Sequence, residues 1–389
     1  MNTKEKTAEY LFQNYGRIDM HFTHGKGSYL YDQNGKEYLD LVAGIAVNSL
    51  GYAHPKWVKA VTEQISRFVH VSNLYHVKEQ ADAAEKLASV TPKGMTKTLF
   101  CNSGAEANEG ALKLSVRHTG RSRILSSLNS FHGRTAASLG ATGQTKYQQS
   151  FETLIGNCYD YFDFGSEESL KSKITKDTAA VILEPIQAEG GVQTAKKEFF
   201  KAVRDICTDN GTVMIVDEVQ TGMGRTGEWF GIQNYDVVPD IITLAKALGG
   251  GVPVGAVVST PEISSCLTPG THGTTFGGNP LVCAAISATI DIMKEEKLVQ
   301  NSKTLGKKWI SDLKKVKCSD VADVRGIGLI IGVEMKEHAK DVQKAALDDG
   351  ILVNVCHMNT VRMIPPLILK ENEADRFTKL FAETASKYN

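Results

Sequence analysis

The chain has 389 residues, and its 44 basic and 44 acidic side chains balance to a formal net charge of zero at pH 7. This length predicts at least two domains or one large α/β domain with an appendage. No dense basic stripe is present, which argues against a nucleic-acid partner. The seven cysteines form no CxxC pair, which fits reduced thiols and predicts neither a disulfide framework nor a metal site. The polar N-terminus and the lack of long apolar runs predict a cytoplasmic protein without a membrane anchor.

Residues 25–47, GKGSYLYDQNGKEYLDLVAGIAV, predict an antiparallel hairpin with a turn at Asn34 and Gly35. Farther along, apolar β-branched runs alternate with segments of helical spacing: TKTLF, AEANEGALKLSVRH, AAVILEP, KKEFFKAVRDICTDN and GTVMIVDEV. This alternation predicts an α/β fold with a mostly parallel sheet covered by helices. Sheets of this kind bind ligands at the carboxyl ends of their strands.

The C-terminal part, from about Ile292, begins with a Lys-rich helix and ends with the helical segment ENEADRFTKLFAETASKY. Short strands are predicted around GLIIGVEM and ILVNVCH, which lie between these helices. We therefore predict a large domain over residues 56–290. A smaller α+β domain is predicted from the two chain ends, residues 1–55 and 291–389.

The segment TLFCNSGAEANEGALK predicts a strand that leads through Ser103 and Gly104 directly into a helix. The exposed amides and the positive dipole end of such a helix suit a phosphate group. Ser103 is equally suited to an ordinary N-cap, with Glu106 completing a capping box. A second candidate phosphate loop is GTHGTTFGGNP, where Thr274 and Thr275 offer hydroxyl groups, although a plain surface turn also fits that composition.

Four further side chains stand out by their setting. In NSFHGRTAAS, Phe131 is suited to lie on a heteroaromatic ring and Arg134 to bind a carboxylate in a bidentate manner. Glu189 in EPIQAEGGV and Arg362 in NTVRMIPPL are charged residues in Gly-rich or apolar surroundings. Each of these residues taken alone also fits a structural role.

Asp217 and Glu218 end the apolar strand of VMIVDEVQTGMGRTG, and Lys246 is the single lysine of IITLAKALGGGVPVG. Because side chains alternate along a strand, only one of the two carboxylates can project into a given site. A buried, unpaired ammonium is costly, so Lys246 requires a reason for its place. In enzymes that use pyridoxal 5'-phosphate, a lysine bonds to the cofactor aldehyde and a carboxylate keeps the pyridine nitrogen protonated. Snorkelling of the lysine and turn capping by the aspartate are the structural alternatives.

The segment GMGRTG, Gly222 to Gly227, matches the GxGxxG pattern of dinucleotide-binding loops. That fingerprint must open an amphipathic helix that packs on the sheet. The following residues, EWFGIQNYDVVPD, have no helical apolar stripe and end in proline. We therefore reject a nicotinamide site here.

Six segments in this order, NSGAEANEGALK, FHGRT, EPIQAEGGV, VDEVQTGMGRTG, LAKALGGGVPVGA and HGTTFGGNP, resemble the class III (ornithine aminotransferase-like) subgroup of the fold-type I pyridoxal-phosphate aminotransferases. The resemblance covers nearly the whole chain. It implies a large domain with a seven-stranded sheet, a small domain formed by both termini, and a homodimer with active sites at the subunit interface.

The resemblance also implies a set of contacts to pyridoxal 5'-phosphate and a site without a metal ion. Lys246 would bond to the cofactor and shuttle a proton, and Asp217 would pair with the pyridine nitrogen. Phe131 and Val219 would stack on the cofactor ring, and Gln220 would contact the ring hydroxyl. The phosphate would be bound by Ser103, Gly104 and Ala105 of the same chain and by Thr275 of the partner subunit.

Within the family, LDLVAGIAVNSLGYAHP and HVSNLYH are most similar to members that act on N2-acetylornithine and 2-oxoglutarate. The resemblance then implies substrate contacts by Arg134, by Glu189 and Arg362 as a switchable pair, and by Thr274 and Tyr15. Ornithine, succinylornithine, succinyldiaminopimelate and 4-aminobutyrate remain alternative donors. Roles for Asn73 and Tyr75 stay open, because such residues also pack or turn.

Overall fold

The computed structural model describes residues 1–388. Its strands are β1 (Phe22–Lys26), β2 (Tyr29–Asp32), β3 (Glu37–Asp40), β4 (Lys97–Cys101), β5 (Arg123–Ser127), β6 (Tyr159–Phe162), β7 (Thr178–Leu183), β8 (Ile186–Gln187), β9 (Gln193–Thr194), β10 (Val213–Asp217), β11 (Ile241–Leu244), β12 (Gly255–Ser259), β13 (Val321–Ile327), β14 (Ile330–Met335), β15 (Ile351–Leu352), β16 (Asn354–Cys356) and β17 (Thr360–Met363).

The α-helices are α1 (Thr3–Tyr10), α2 (Ala43–Ala46), α3 (Pro55–Arg67), α4 (Lys78–Ala88), α5 (Gly104–Thr119), α6 (Ala136–Ala141), α7 (Thr145–Gln148), α8 (Glu152–Ile155), α9 (Glu167–Lys173), α10 (Lys197–Asn210), α11 (Pro261–Ser264), α12 (Pro280–Glu295), α13 (Leu298–Lys314), α14 (Ala339–Asp348) and α15 (Glu371–Ala385). Short 3₁₀ helices span Gly231–Tyr235, Lys246–Gly249 and Ser386–Tyr388. None of the helices within residues 1–388 combines the length and apolar character needed to cross a membrane.

The largest sheet has seven strands in the order β4-β12-β11-β10-β7-β5-β6. Strands β11, β10, β7, β5 and β6 pair in parallel, and only β12 runs against its neighbours. Every residue of β7, β10, β11 and β12 is buried, which matches their apolar, β-branched sequences. The mostly parallel, helix-covered sheet predicted from the sequence is therefore confirmed.

A four-stranded sheet, β1-β2-β3-β15, brings the two ends of the chain together. The predicted hairpin forms its β2-β3 part, where Asp32 Oδ1 accepts hydrogen bonds from the Asn34 and Lys36 amides across the turn. Strand β15 from the C-terminal part pairs in parallel with β3. A second four-stranded sheet, β13-β14-β17-β16, is entirely antiparallel and carries Arg362 on β17.

The GMGRTG segment forms turns after β10 and leads into the 3₁₀ helix Gly231–Tyr235 rather than into an α-helix. Its Arg225 is 1% exposed and is enclosed by protein. The Arg225 guanidinium donates hydrogen bonds to the Leu329 and Pro365 carbonyl oxygens and to Ser49 Oγ. The segment thus ties the large sheet to the N-terminal and C-terminal parts of the chain.

Candidate active site

A cavity of about 250 Å³ opens where the parallel strands of the large sheet end. Asp217 is the last residue of β10, and Lys246 lies two residues beyond the end of the neighbouring β11. The lining residues are Gly104, Ala105, Asn108, Phe131, His132, Gly133, Arg134, Glu184, Ile186, Asp217, Val219, Gln220, Thr221, Ala245 and Lys246. The topology therefore brings together residues that are separated by more than a hundred positions in the chain.

Lys246 begins a 3₁₀ turn with a φ of 45°, in the left-handed region that non-glycine residues seldom occupy. Such a conformation costs on the order of 1–3 kcal/mol and is concentrated at functional sites. Burial lowers the pKa of the Lys246 amine to about 8, although the charge of Glu189 opposes this shift. The neutral, nucleophilic fraction of this amine near neutral pH is therefore far larger than that of an ordinary lysine.

Asp217 is held by three donors. The Asn108 amide and His132 Nδ1 each lie 2.8 Å from Asp217 Oδ2, and the Val219 backbone amide donates to Oδ1 at 3.0 Å. Because a carboxylate only accepts, His132 Nδ1 must carry the proton. Thr243 Oγ1 in turn donates to Asn108 Oδ1 at 2.7 Å, which fixes the amide orientation.

Glu218 points away from this cavity, as the alternation along β10 predicts. Its side chain accepts from the Thr221 hydroxyl and from the backbone amides of Gly231 and Ile232. Burial raises the pKa of Glu218 to about 7. Glu218 therefore anchors the loop behind the sheet, and Asp217 alone faces the cavity.

Helix α5 begins at the cavity with Gly104 and Ala105, whose amides belong to the first turn and have no partner within the helix. Ser103 is the N-cap, and its hydroxyl accepts from the Glu106 amide at 3.1 Å. The predicted capping box is not formed as expected, because Glu106 bonds to the Asn102 amide instead of returning to Ser103. The free amides at this end suit an anion.

Phe131 and Val219 both line the cavity. The Phe131 backbone amide donates to Glu184 Oε2 at 3.2 Å, which attaches the loop after β5 to the end of β7. Burial, and then the charge of Asp217, raise the pKa of Glu184 well above its ordinary value. Glu184 therefore contributes less negative charge to the site than a fully ionised carboxylate would.

An ion pair lies at the edge of the cavity, where Arg362 Nη1 donates to Glu189 Oε1 at 2.7 Å. Gln220 bridges the pair, because its amide donates to Glu189 at 3.2 Å and its oxygen lies 3.5 Å from Arg362 Nη1. Arg362 is 1% exposed, whereas the Glu189 side chain is 23% exposed. Burial raises the pKa of Glu189, but the Arg362 charge and hydrogen bond outweigh burial, so the net pKa is lowered.

Arg134 also lines the cavity, and no hydrogen bond or ion pair of its guanidinium is found within residues 1–388. The guanidinium carbon lies over the Tyr147 ring, 4.0 Å from its centroid, and 5.4 Å from the Phe131 centroid. An unpaired arginine at a cavity wall is suited to bind a carboxylate.

Other predicted site residues lie apart from the cavity lining. Thr274 Oγ1 accepts a hydrogen bond from the side-chain amide of Asn102 at 3.0 Å, close to the start of α5, whereas Thr275 is exposed. Tyr15 is 70% exposed and contacts the Arg17 guanidinium. Asn73 donates to the Gly277 carbonyl at 3.0 Å, so it braces the loop that carries the two threonines.

Sequence reasoning missed five cavity or near-cavity residues: Asn108, His132, Glu184, Tyr147 and Thr243. Thr243 lies in the otherwise apolar strand β11, and a polar residue inside such a strand was the available signal. Asn108 gave a weaker signal, because helix α5 carries several other polar residues. His132 and Glu184 stand inside quoted motifs without having been singled out. Tyr147 gave no signal, because its partner Arg134 is 13 positions away, on the other side of helix α6.

The cavity fits the pyridoxal 5'-phosphate that the resemblance implies. A carboxylate has about four lone-pair positions, and the three donors on Asp217 leave one for a protonated ring nitrogen. His132 Nε2, at the cavity wall, is buried without a hydrogen-bond partner in the described part of the chain. The unpartnered amides of the first turn of α5 lie at this cavity and suit a phosphate, and the Lys246 amine is suited to react with the aldehyde.

Comparisons with known proteins agree with this chemistry. The family model for aminotransferase class III matches residues 10–384. An acetylornithine aminotransferase of Methanocaldococcus jannaschii is 45% identical over 377 residues, which are 94% of each chain.

Two solved structures share the fold. An ornithine aminotransferase of Toxoplasma gondii, with partial occupancy of pyridoxal phosphate at its active site, superposes with a TM-score of 0.94 at 29% identity and covers 99% of this chain and 94% of its own. An acetylornithine aminotransferase of Elizabethkingia anophelis has a TM-score of 0.87 at 30% identity and covers 99% of this chain and 98% of its own. The architecture is therefore fold-type I, and the chain belongs to the class III aminotransferases, which depend on pyridoxal 5'-phosphate.

Proposed function

We propose that this enzyme transfers the δ-amino group of N2-acetylornithine to 2-oxoglutarate. The products would be N-acetylglutamate 5-semialdehyde and glutamate, a step of arginine biosynthesis. The names of the relatives from M. jannaschii and E. anophelis support this donor. The observation that carries the proposal is the contrast between two arginines at the cavity: Arg362 is neutralised by Glu189, whereas Arg134 has no anionic partner within residues 1–388.

This contrast suits an enzyme with two successive substrates. Acetylornithine carries one carboxylate, which Arg134 would bind while the distal amine reaches toward Lys246. 2-Oxoglutarate carries two carboxylates, so a second cation is required. Glu189, which is partly exposed, would swing aside and release Arg362 for the α-carboxylate, while Arg134 binds the γ-carboxylate.

The cavity residues would hold pyridoxal 5'-phosphate through Lys246, Asp217 and the start of α5, with Ser103 capping that helix. Phe131 and Val219 would flank the ring, and Gln220 would contact its hydroxyl. When bound, this cofactor supplies an electron sink that acidifies the C–H bond beside the transferred nitrogen. Lys246 Nζ would move the proton at that carbon, a task suited to an amine whose pKa is lowered to about 8.

We also propose a cytoplasmic homodimer with Thr275 of the partner subunit completing the phosphate site. Large apolar side chains exposed on the single chain support an interface: Tyr10, Leu11, Phe12, Leu74, Tyr75 and Phe276. Thr274 and Tyr15 would then approach the substrate from such an interface. We also propose a large domain of residues 56–290 and a small domain of the two chain ends, which the separation of the sheets supports.

The proposed donor is tested by titrating the purified, cofactor-loaded protein with N2-acetylornithine in the absence of a keto acid. Ornithine and 4-aminobutyrate serve as parallel titrants. We expect the visible absorbance of the bound cofactor to bleach at acetylornithine concentrations far below those of the other amines. Bleaching first by ornithine or 4-aminobutyrate would reject the proposed donor while leaving the family chemistry intact.

A further inference from the structure

Arg134 faces the cavity without a protein anion to orient it. The Arg134 guanidinium carbon lies over two aromatic rings, 4.0 Å from the Tyr147 centroid and 5.4 Å from the Phe131 centroid. Both distances are within the range of a cation–π attraction, which is strongest for the nearer ring. Because this attraction uses a ring face rather than a hydrogen-bond acceptor, the five N–H donors of Arg134 remain free for a carboxylate.

The Tyr147 ring has a defined position. Tyr147 lies in the short helix α7, between Gln144 and Gln148. The Gln144 amide donates to the Ser130 carbonyl at 3.2 Å, and the Gln148 amide donates to the Thr142 carbonyl at 2.8 Å. The first bond attaches the start of α7 to the loop that follows β5, and the second attaches its end to the end of α6.

The Tyr147 ring also packs against the Phe131 ring in a T-shaped arrangement, with centroids 5.7 Å apart and planes at 86°. Within residues 1–388 the Tyr147 hydroxyl makes no hydrogen bond. The ring, rather than the hydroxyl, is therefore the part of Tyr147 that contacts Arg134. Lys146 Nζ also lies over this ring, 4.7 Å from its centroid, but Lys146 is an exposed residue outside the cavity lining.

We propose that Tyr147 is a positioning residue that holds Arg134 toward the cavity and thereby sets the affinity of the enzyme for substrate carboxylates. The inference rests on the proposed function, in which Arg134 binds a carboxylate of both substrates. A neutral ring suits this task better than a carboxylate would. An acidic partner would compete with the substrate for the same donors, as Glu189 does for Arg362.

The direct test is Tyr147→Leu in the cofactor-loaded enzyme, compared with Tyr147→Phe. We expect the leucine variant to raise KM for acetylornithine and for 2-oxoglutarate about tenfold, equivalent to about 1.4 kcal/mol, with kcat changed less than about twofold. The phenylalanine variant keeps the ring and should retain KM within about twofold. An equal rise in KM in both variants would assign the role to the hydroxyl, and an unchanged KM in both would leave the ring without a role; either result would overturn the proposal.

Lys146→Met is the matched control, because it removes the other cation that contacts the same ring. Its KM values should equal those of the wild type. A rise as large as that of Tyr147→Leu would mean that α7 acts as a whole and that the contact with Arg134 has no special role. If Tyr147→Leu does not fold, Tyr147→Gln provides a second side chain without an aromatic face, to be judged by the same KM criterion.

A double-mutant cycle separates positioning from a general structural effect. In an Arg134→Gln background, Tyr147→Leu should add no further rise in KM, because the residue that it positions is already gone. Additive losses would overturn the proposal.

Calorimetric binding of glutarate, a dicarboxylate with neither amine nor keto group, should weaken about tenfold, or about 1.4 kcal/mol, in Tyr147→Leu and remain unchanged in Tyr147→Phe. This readout is independent of the amino donor, so failure of the proposed substrate and failure of the positioning role give different results. Unchanged glutarate binding in the leucine variant would refute the positioning role, whichever amine proves to be the donor.

Discussion

Arg362 Nη1 lies 2.7 Å from Glu189 Oε1, in a pair whose arginine is almost fully buried and whose carboxylate side chain is 23% exposed. The two members therefore differ in their freedom to move. The Arg362 guanidinium also donates hydrogen bonds to the Ala188 carbonyl and to the Asn354 side-chain oxygen. Glu189 is therefore the member of the pair that can move away. Under the proposed function, this pair would neutralise Arg362 in the donor half-reaction and expose it in the 2-oxoglutarate half-reaction.

Replacement of Glu189 by glutamine should impair the two half-reactions unequally. Without the carboxylate, Arg362 stays cationic and free, so it would draw the single carboxylate of acetylornithine away from Arg134. We expect the donor half-reaction to slow about tenfold, or about 1.4 kcal/mol, and the 2-oxoglutarate half-reaction to change less than about threefold. Single-turnover absorbance measurements of each half give these rates.

The control for this prediction is Glu198→Gln, which removes an exposed carboxylate of α10 and should leave both halves unchanged. Equal slowing of both halves in Glu189→Gln would contradict a switching role.

The lowered pKa of Lys246 makes a prediction for the cofactor-free protein. Only the neutral amine attacks an aldehyde, and burial sets the pKa of this amine to about 8. The rate at which the apoprotein incorporates pyridoxal 5'-phosphate should therefore rise with pH and level off above about 8. Visible absorbance after mixing, followed between pH 6 and pH 10 at constant ionic strength, measures the rate.

Lys246→Ala should fold and bind the cofactor without covalent attachment, so its spectrum should lack the pH-dependent phase. A rate that keeps rising to pH 10 in the wild type would show that the amine keeps its ordinary pKa.

Asn108 provides a test of the network behind Asp217. Asn108→Leu removes a donor to Asp217 Oδ2 and leaves the Thr243 hydroxyl without its acceptor. An unsatisfied buried polar group costs about 1–3 kcal/mol, so we expect a comparable fall in the free energy of unfolding and faster loss of cofactor. Denaturant titration of the apoprotein and dilution of the loaded enzyme measure the two effects.

Ser115→Ala, in the same helix, removes a hydroxyl that bonds to the Ala111 carbonyl and serves as the control. If Asn108→Leu loses cofactor at the wild-type rate, the hydrogen bond from Asn108 to Asp217 does not contribute to cofactor binding.

Arg225 joins three parts of the chain through uncharged oxygens alone, since it donates to Leu329 O, Pro365 O and Ser49 Oγ. Burial lowers the pKa of its guanidinium to about 9, so the charge itself is unfavourable here. Arg225→Met removes that charge but leaves the carbonyl oxygens unpaired, and we expect a net loss of about 1–3 kcal/mol in unfolding free energy.

KM for 2-oxoglutarate should rise as well, because Pro365 follows Arg362 by three residues. Arg204→Met removes a partly exposed ion pair with Asp240 and should cost less than about 1 kcal/mol. A smaller loss of unfolding free energy for Arg225→Met than for Arg204→Met would contradict the role of Arg225 in joining the three parts of the chain.

The amino-acid sequence by itself was sufficient to predict the parallel sheet, the helix that starts at Gly104 and the terminal hairpin. Those features depend on local periodicity, turn residues and strand composition, which can be read within a window of about twenty residues. The sequence also identified Asp217 and Lys246, because a carboxylate at a strand end and a lysine in an apolar run are conspicuous locally. The order of the motifs indicated the family.

Only the tertiary structure decided how these residues meet. Asn108 reaches Asp217 from a helix that lies 109 positions earlier, and Arg362 reaches Glu189 from a strand of another sheet 173 positions later. Tyr147 and Arg225 were inconspicuous in the sequence, because their roles depend on a ring face and on backbone carbonyls rather than on residue spacing. Orientation, burial and charge pairing depend on which strand ends share an edge, and sheet order is set by packing over the whole chain.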